Sequence, residues 1–207
     1  MHHVDLGIEL ASEQPGHVTS HVTARNNVIY ADNSNGISIG GFDAGRGGTD
    51  HCTIVNNTLF GDDTKQTQSG ELQIQFHATN NLFANNIAYA EEPLIINNFT
   101  TSTANPAVVD YNLYHSPVGV GKSVWQWDGV SYQGYAKYRA ATGLDAHSPF
   151  ADPRFVSTGT PPDFRLMLGS PAEGAGTDLG AAMLGRVDFA GNPRVSGGKV
   201  DIGAYQH

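Results

Sequence analysis

Apolar residues fall at every second position in separated stretches of the chain. Ile8 and Leu10 alternate in Gly7-Ile8-Glu9-Leu10-Ala11, Ile37 and Ile39 in Gly36-Ile37-Ser38-Ile39-Gly40, and Leu72 and Ile74 in Glu71-Leu72-Gln73-Ile74-Gln75. Pro93-Leu94-Ile95-Ile96 is a fourth, less regular copy. A period of two predicts strands with one apolar face, not helices. A second strand type runs into an asparagine pair. Arg25-Asn26-Asn27-Val28-Ile29-Tyr30, Val55-Asn56-Asn57-Thr58-Leu59-Phe60 and Ala84-Asn85-Asn86-Ile87-Ala88-Tyr89 share this pattern, and Tyr111-Asn112-Leu113-Tyr114 is a degenerate copy. The second asparagine stands at 27, 57, 86 and 112, so the steps are 30, 29 and 26 residues. Two and four residues before each pair stand Ala24 and Val22, Ile54 and Cys52, and Phe83 with the polar Asn81.

A repeat of that length, built from strands and polar turns, predicts a solenoid in which each unit stacks on the next. The expected fold is all-β: a right-handed parallel β-helix of about four coils over residues 1–117, followed by an irregular capping segment, 118–207, packed on the last coil. Asparagine suits the turns because it tolerates left-handed backbone angles and can bond to equivalent asparagines above and below. Beyond Pro117 the periodicity ends. A short helix is expected over 131–142, with Ser131 as its N-cap and Gly143 at its C-terminal end. The cluster Trp125, Trp127, Tyr132, Tyr135 and Tyr138 reads as packing of the cap on the open core, with sugar stacking as the alternative.

Composition narrows the function. The net charge of −9 argues against nucleic acid, which requires a basic surface, and against a bare polyanion unless a cation mediates. No apolar run is long enough to cross a membrane as a helix. The single cysteine, Cys52, falls on an inward strand position and reads as a small core residue. The nine histidines form no His-Xaa-Xaa-Xaa-His pattern, so no structural zinc is expected. Asp43-Ala44-Gly45-Arg46-Gly47-Gly48 is glycine-rich but lacks the Lys-Ser/Thr of a phosphate loop.

Candidate chemistry lies on the residues between the inward apolar positions. Glu9, Ser38, Gln73 and Gln75 face outward in this register, while Glu13, Asp43 and His77 reach the strand ends. Arg46 and His51 stand on the loop that begins at Asp43, and Glu71 opens the third copy. The expectation is one polar groove with Glu9, Glu13, Asp43, Arg46, Glu71 and His77 as candidate catalytic residues. Gln73, Gln75 and His51 are its substrate contacts. A glycosidase needs two carboxyls across the scissile bond. A uronate lyase instead needs a base and a cation: Arg46, or Ca²⁺ held by Glu and Asp oxygens. No other cofactor is expected. A non-catalytic glycan-binding or structural module is the alternative.

Asp152-Pro153-Arg154-Phe155, Phe164-Arg165-Leu166, Gly169-Ser170-Pro171-Ala172 and the closing Asp201-Ile202-Gly203-Ala204-Tyr205 resemble the C-terminal part of secreted bacterial right-handed parallel β-helix repeat proteins. That group includes pectate-lyase-like and alginate-lyase-like polysaccharide enzymes. The resemblance implies a polysaccharide substrate, cleavage by hydrolysis or β-elimination, and an extracellular location. Such proteins carry further coils before a segment like 7–13. The resemblance therefore implies that the chain is part of a longer protein, or that it covers Ile8, Leu10, Val22 and Val28 by self-association.

Overall fold

In the computed structural model, which describes residues 1–98 and 105–207, the chain winds through four stacked coils. The first contains β1 (Leu6–Ala11), β2 (Val18–Ser20), β3 (Thr23–Arg25) and β4 (Val28–Tyr30). The second contains β5 (Asn35–Gly40), β6 (Gly48–Asp50), β7 (Thr53–Val55) and β8 (Thr58–Phe60). The third holds β9 (Leu72–Ile74), β10 (Ala78–Thr79), β11 (Asn81–Ala84) and β12 (Ile87–Tyr89). The fourth holds β13 (Leu94–Asn98), β14 (Ala107–Asp110) and β15 (Leu113–His115). Strands of successive coils pair in parallel, forming a β-solenoid. The longest sheet runs β1-β5-β9-β13 and continues into the cap.

Each coil has more strands than the two types read from sequence. A further short strand follows each asparagine pair, β6 lies within the loop expected to begin at Asp43, and β2 is its counterpart one coil earlier. The inward register of the long sheet matches the alternation: Ile37, Ile39, Leu72 and Ile74 lie fully in the core with Ile29, Ile54, Leu59 and Phe83. Asn81, polar at an apolar position, is buried too. Its Oδ1 accepts the Cys52 N–H at 2.9 Å, and its Nδ2 donates to the Pro106 carbonyl at 3.0 Å.

The two asparagines of each pair have different tasks. The second forms a ladder through the interior. Asn57 Oδ1 accepts from both Asn27 N and Asn27 Nδ2, Asn86 Oδ1 accepts likewise from Asn57, and Asn112 Oδ1 from Asn86, all at 2.8–3.1 Å. The ladder ends where the Asn112 N–H donates to Ser148 Oγ. The first asparagine takes left-handed angles, φ 54–57° at Asn26, Asn56 and Asn85, and points its amide outward. There Asn26 donates to the carbonyls of Leu184 and Val187, Asn56 to that of Asp201, and Asn85 to that of Thr177. One asparagine stacks the coils; the other fastens the C-terminal segment across them.

That segment begins as an end cap. β16 (Val124–Trp127) extends the long sheet, β17 (Val130–Gln133) turns back antiparallel, and α1 (Tyr135–Thr142) follows. Trp125, Tyr135 and Tyr138 are buried in the main core, as packing of the cap requires. The helix starts later than expected because Ser131 pairs with Gln126 in β17, leaving Gly134 as the capping residue. Gly143 ends it in the left-handed conformation, φ 71°. From Ala151 onward the chain runs back along the solenoid. The hairpin of β18 (Phe155–Ser157) and β19 (Asp163–Leu166) sets Phe155 and Phe164 against Tyr30, Phe60 and Tyr89. After the one-turn helix α2 (Ala181–Leu184), the fully buried Arg194 donates to the carbonyls of Asp201, Gly203 and Tyr205 and to Oε1 of Gln206. Its Nη1 also reaches Asn26 Oδ1 of the first coil at 3.3 Å.

Candidate functional site

The outer face of the long sheet carries one polar side chain per coil in a single register. Glu9 pairs with Ser38, Ser38 with Gln73, Gln73 with Asn97, and Asn97 with Gln126. Strand spacing places these rungs about 4.8 Å apart along the solenoid axis. The row is cross-linked. Gln73 Oε1 accepts from Gln75 Nε2 at 2.7 Å and from Asn35 Nδ2 at 3.4 Å, and Gln73 Nε2 donates to Ser69 Oγ. Asn97 Nδ2 donates to the Gln68 carbonyl at 2.7 Å.

Loops wall both edges of this face. On one side, Arg46 lies 3.7 Å from the Glu13 carboxylate and 3.5 Å from that of Asp43, and also donates to the Glu13 carbonyl. His77 Nε2 sits 3.0 Å from the Ala44 carbonyl. A cleft of about 250 Å³ opens here, lined by Gly16, His17, Arg46, Gly47 and His77 among others. The glycine-rich stretch serves close packing of coils: a Cβ on Gly48 would stand 2.1 Å from the His77 carbonyl oxygen. On the other side, Asp63 pins the loop from 63 to 70 by accepting from the N–H groups of Thr67, Ser69 and Gly70. That loop, with Glu92, Leu94, Gln126 and Ser131, lines a cleft of about 410 Å³.

Of the residues expected in the groove, Glu13, Asp43, Arg46 and His77 come together at one edge. Glu9 is exposed on β1, and Gln73 and Gln75 lie on the face itself. Two stand elsewhere. His51 lies at the corner after β6, where its ring stacks on His21 at 5.4 Å and its Nδ1 meets Asp50 at 2.7 Å. Bonds from Asn80 and His51 hold the Asp50 carboxyl down at about 2.

Glu71 is fully buried at the corner where β9 begins. It occupies the position of Gly36 one coil earlier and Gly7 two coils earlier, and accepts the Asp62 N–H at 3.1 Å. Asp62 in turn accepts from Asp32 N, and Asp32 from Val4 N, so three carboxyls form a second interior ladder. Burial pushes Asp62 up to about 7 and raises Glu71 well above its usual range, with the neighbouring Asp62 charge adding to the rise at Glu71. This ladder is closed to a ligand. Ser38 lies on this face, as its outward register predicts, while Asn97, Gln126 and Glu92 stand there beyond the residues expected from sequence. The strand register identifies Asn97 and Gln126, whereas Asn97-Asn98 imitates another turn pair in sequence.

Among the described residues, no three His, Cys, Asp or Glu side chains are grouped as a metal ion requires, and no helix is long and apolar enough to cross a membrane. A cavity of about 340 Å³ on the C-terminal segment is lined by Arg165, Asn192, Tyr205 and His207 among others, with Arg165 held by Asp163. No protein-family model matches the chain. It is similar, at 35% identity over 170 residues, to the uncharacterized protein YwoF of Bacillus subtilis (strain 168). The match covers 81% of this chain and 36% of that relative, so the chain spans about a third of the length of the curated protein it matches.

Proposed function

We propose that this protein engages a polysaccharide along the outer face of the long sheet. The observation that carries the reading is the unbroken polar row Glu9–Ser38–Gln73–Asn97–Gln126, one side chain per coil between two loop walls. A chain ligand lying along the solenoid axis meets the exposed Glu9 and the half-buried Gln73 and Gln126, with the buried Ser38 and Asn97 between them. Such an extended row suits a polymer of repeating rings better than a compact metabolite. The parallel solenoid is compatible with carbohydrate-active proteins, but fold alone does not assign an activity.

In this reading the reactive groups, for a protein that also cleaves its ligand, are those at the Arg46 edge. Glu13 and Asp43 are the carboxyls available for hydrolysis; His77 and Arg46 are the base and cation available for β-elimination. The non-catalytic reading is favoured by one observation: Arg46 is already shared between two carboxylates.

A panel of soluble polysaccharides, with and without Ca²⁺, separates these outcomes. Wild type is expected to be retarded by at least one polymer in affinity electrophoresis, and Gln73→Ala to be retarded less. Ultraviolet-absorbing unsaturated products identify elimination. Reducing ends without that absorbance identify hydrolysis. Binding with neither product identifies a binding module. Failure of wild type to bind or convert any polymer contradicts the proposal.

A further inference from the structure

We infer that two adjoining clefts on the C-terminal segment bind a small organic acid, with the Gln206 amide as a fixed donor and Arg165 and Lys199 as the cations. The clefts, of about 340 and 310 Å³, share Gln206 and His207 in their walls. None of their lining residues belongs to the long sheet, so this site stands or falls apart from the glycan groove. Volumes of this size suit a small molecule.

Gln206 is the residue that points to a ligand. It is only 9% exposed, and its amide cannot be reversed. Oε1 accepts from Arg194 Nη2 and from the Asp201 N–H, each at 3.0 Å, and both of those groups can only donate. Nε2 is therefore a donor. It meets no acceptor among the described residues, yet it keeps access to the open space that Gln206 lines. A polar group of so buried a side chain is normally satisfied, and here the missing partner is an acceptor.

A cation stands on each side of that donor. In the first cleft Arg165 is held by Asp163 through Nε and Nη2, which leaves Nη1 unbonded on a positioned guanidinium. In the second, Lys199 forms no ion pair among the described residues. The carboxyls nearby are engaged. Glu173 lies 3.2 Å from His207 Nδ1 and accepts the Gly169 N–H, Asp188 accepts from the N–H groups of Ala190, Asn192 and Gln206, and Asp201 from those of Gly174 and His207. What remains is an amide donor between two charged ones, the set that a carboxylate engages most strongly. Val156 and Leu166 in the first cleft and Leu168 in the second give an apolar wall, which favours an organic acid over an inorganic anion. Asn192 Nδ2 is bonded to the Asp188 carboxylate, so Asn192 Oδ1 is left to accept from a ligand hydroxyl.

The test titrates the nitrogen-15-labelled full chain with sodium mandelate, against matched NaCl, and follows the backbone amides. Mandelate carries a carboxylate, a hydroxyl and an apolar ring; mandelamide keeps the shape without the charge. Mandelate is expected to shift the amides of Arg165, Gln206 and His207, and mandelamide and inorganic phosphate to bind about tenfold more weakly. Arg165→Met and Lys199→Met change exposed side chains and are expected to leave the melting temperature unchanged. At least one of them is expected to weaken mandelate by about tenfold, the loss of one charge-assisted hydrogen bond. Mandelamide or phosphate binding as tightly as mandelate overturns the inference. So do mandelate shifts away from both clefts, wild-type affinity in both variants, or no shift up to about 50 mM mandelate.

Discussion

Replacing Asn57 by alanine is expected to lower stability by about 3–5 kcal/mol and the melting temperature by about 10 °C. The side chain is fully buried and makes four hydrogen bonds: two accepted from Asn27, one donated to the Ala24 carbonyl and one donated to Asn86 Oδ1. Alanine removes all four and leaves partners on two coils unsatisfied in the interior. Each such orphan costs about 1–3 kcal/mol. Asn33→Ala, at a side chain that bonds to Asp5 on the surface, is the control and is expected to change stability by less than about 0.5 kcal/mol. Chemical denaturation of the two variants beside wild type checks both. Equal midpoints would mean that the ladder is incidental to stacking.

The second large effect is a dependence of stability on pH that runs against the usual acid denaturation. Asp62 is pushed up to about 7 by burial, and Asp145 likewise, despite accepting hydrogen bonds from Ser148, Tyr138 and Tyr114; Asp32 and Glu71 are raised too. Glu71 rises through burial and the Asp62 charge. In the unfolded chain these carboxyls lose their protons near pH 4. Across the window from about 4 to about 7 the native state therefore holds more protons than the unfolded state, and stability falls as pH rises. Glu71, raised well above its usual range, carries the same fall beyond that window. Below about 4 the opposite term takes over, because Asp50 and Asp163 are held low by their partners and lose those contacts on protonation.

The expected profile has its maximum near pH 4–5 and falls by about 2 kcal/mol or more towards pH 8. Glu71→Gln mimics the protonated acid: its amide oxygen can accept the Asp62 N–H, and its amide nitrogen can donate to the Asp62 carboxylate. This variant is expected to be more stable than wild type at pH 8 and to show a shallower slope. Melting curves from pH 4 to 8 read both. A stability that rises steadily to pH 8, unchanged by Glu71→Gln, would place these carboxyls outside the interior.

How legible these features were depended on whether they share the period of the repeat. The asparagine ladder was readable because its residues recur one coil apart, and the inward register because Ile37 and Ile39 alternate in a strand long enough to show it. Glu71 misled for a local reason: it follows the same alternation as an outward residue but stands at a corner, where the equivalent residues are Gly7 and Gly36. The change from glycine to glutamate at that position was the visible signal of a side chain turned to a new task. His51 was assigned to the loop, yet its 30-residue offset from His21 places both on one corner. The C-terminal segment carried no such period. Its bonds to the first coil, as between Arg194 and Asn26, span 168 residues and follow from the surface that the outward asparagines present.

The glycan groove on the long sheet is the central claim, and backbone amide shifts measured on nitrogen-15-labelled protein test it most directly. Titration with a short oligosaccharide of the best-binding polymer is predicted to shift amides in β5, β9 and β13 and in the flanking loops 41–47 and 62–70. Shifts confined to the C-terminal segment around Arg165 and Tyr205, with the long sheet unmoved, would contradict it.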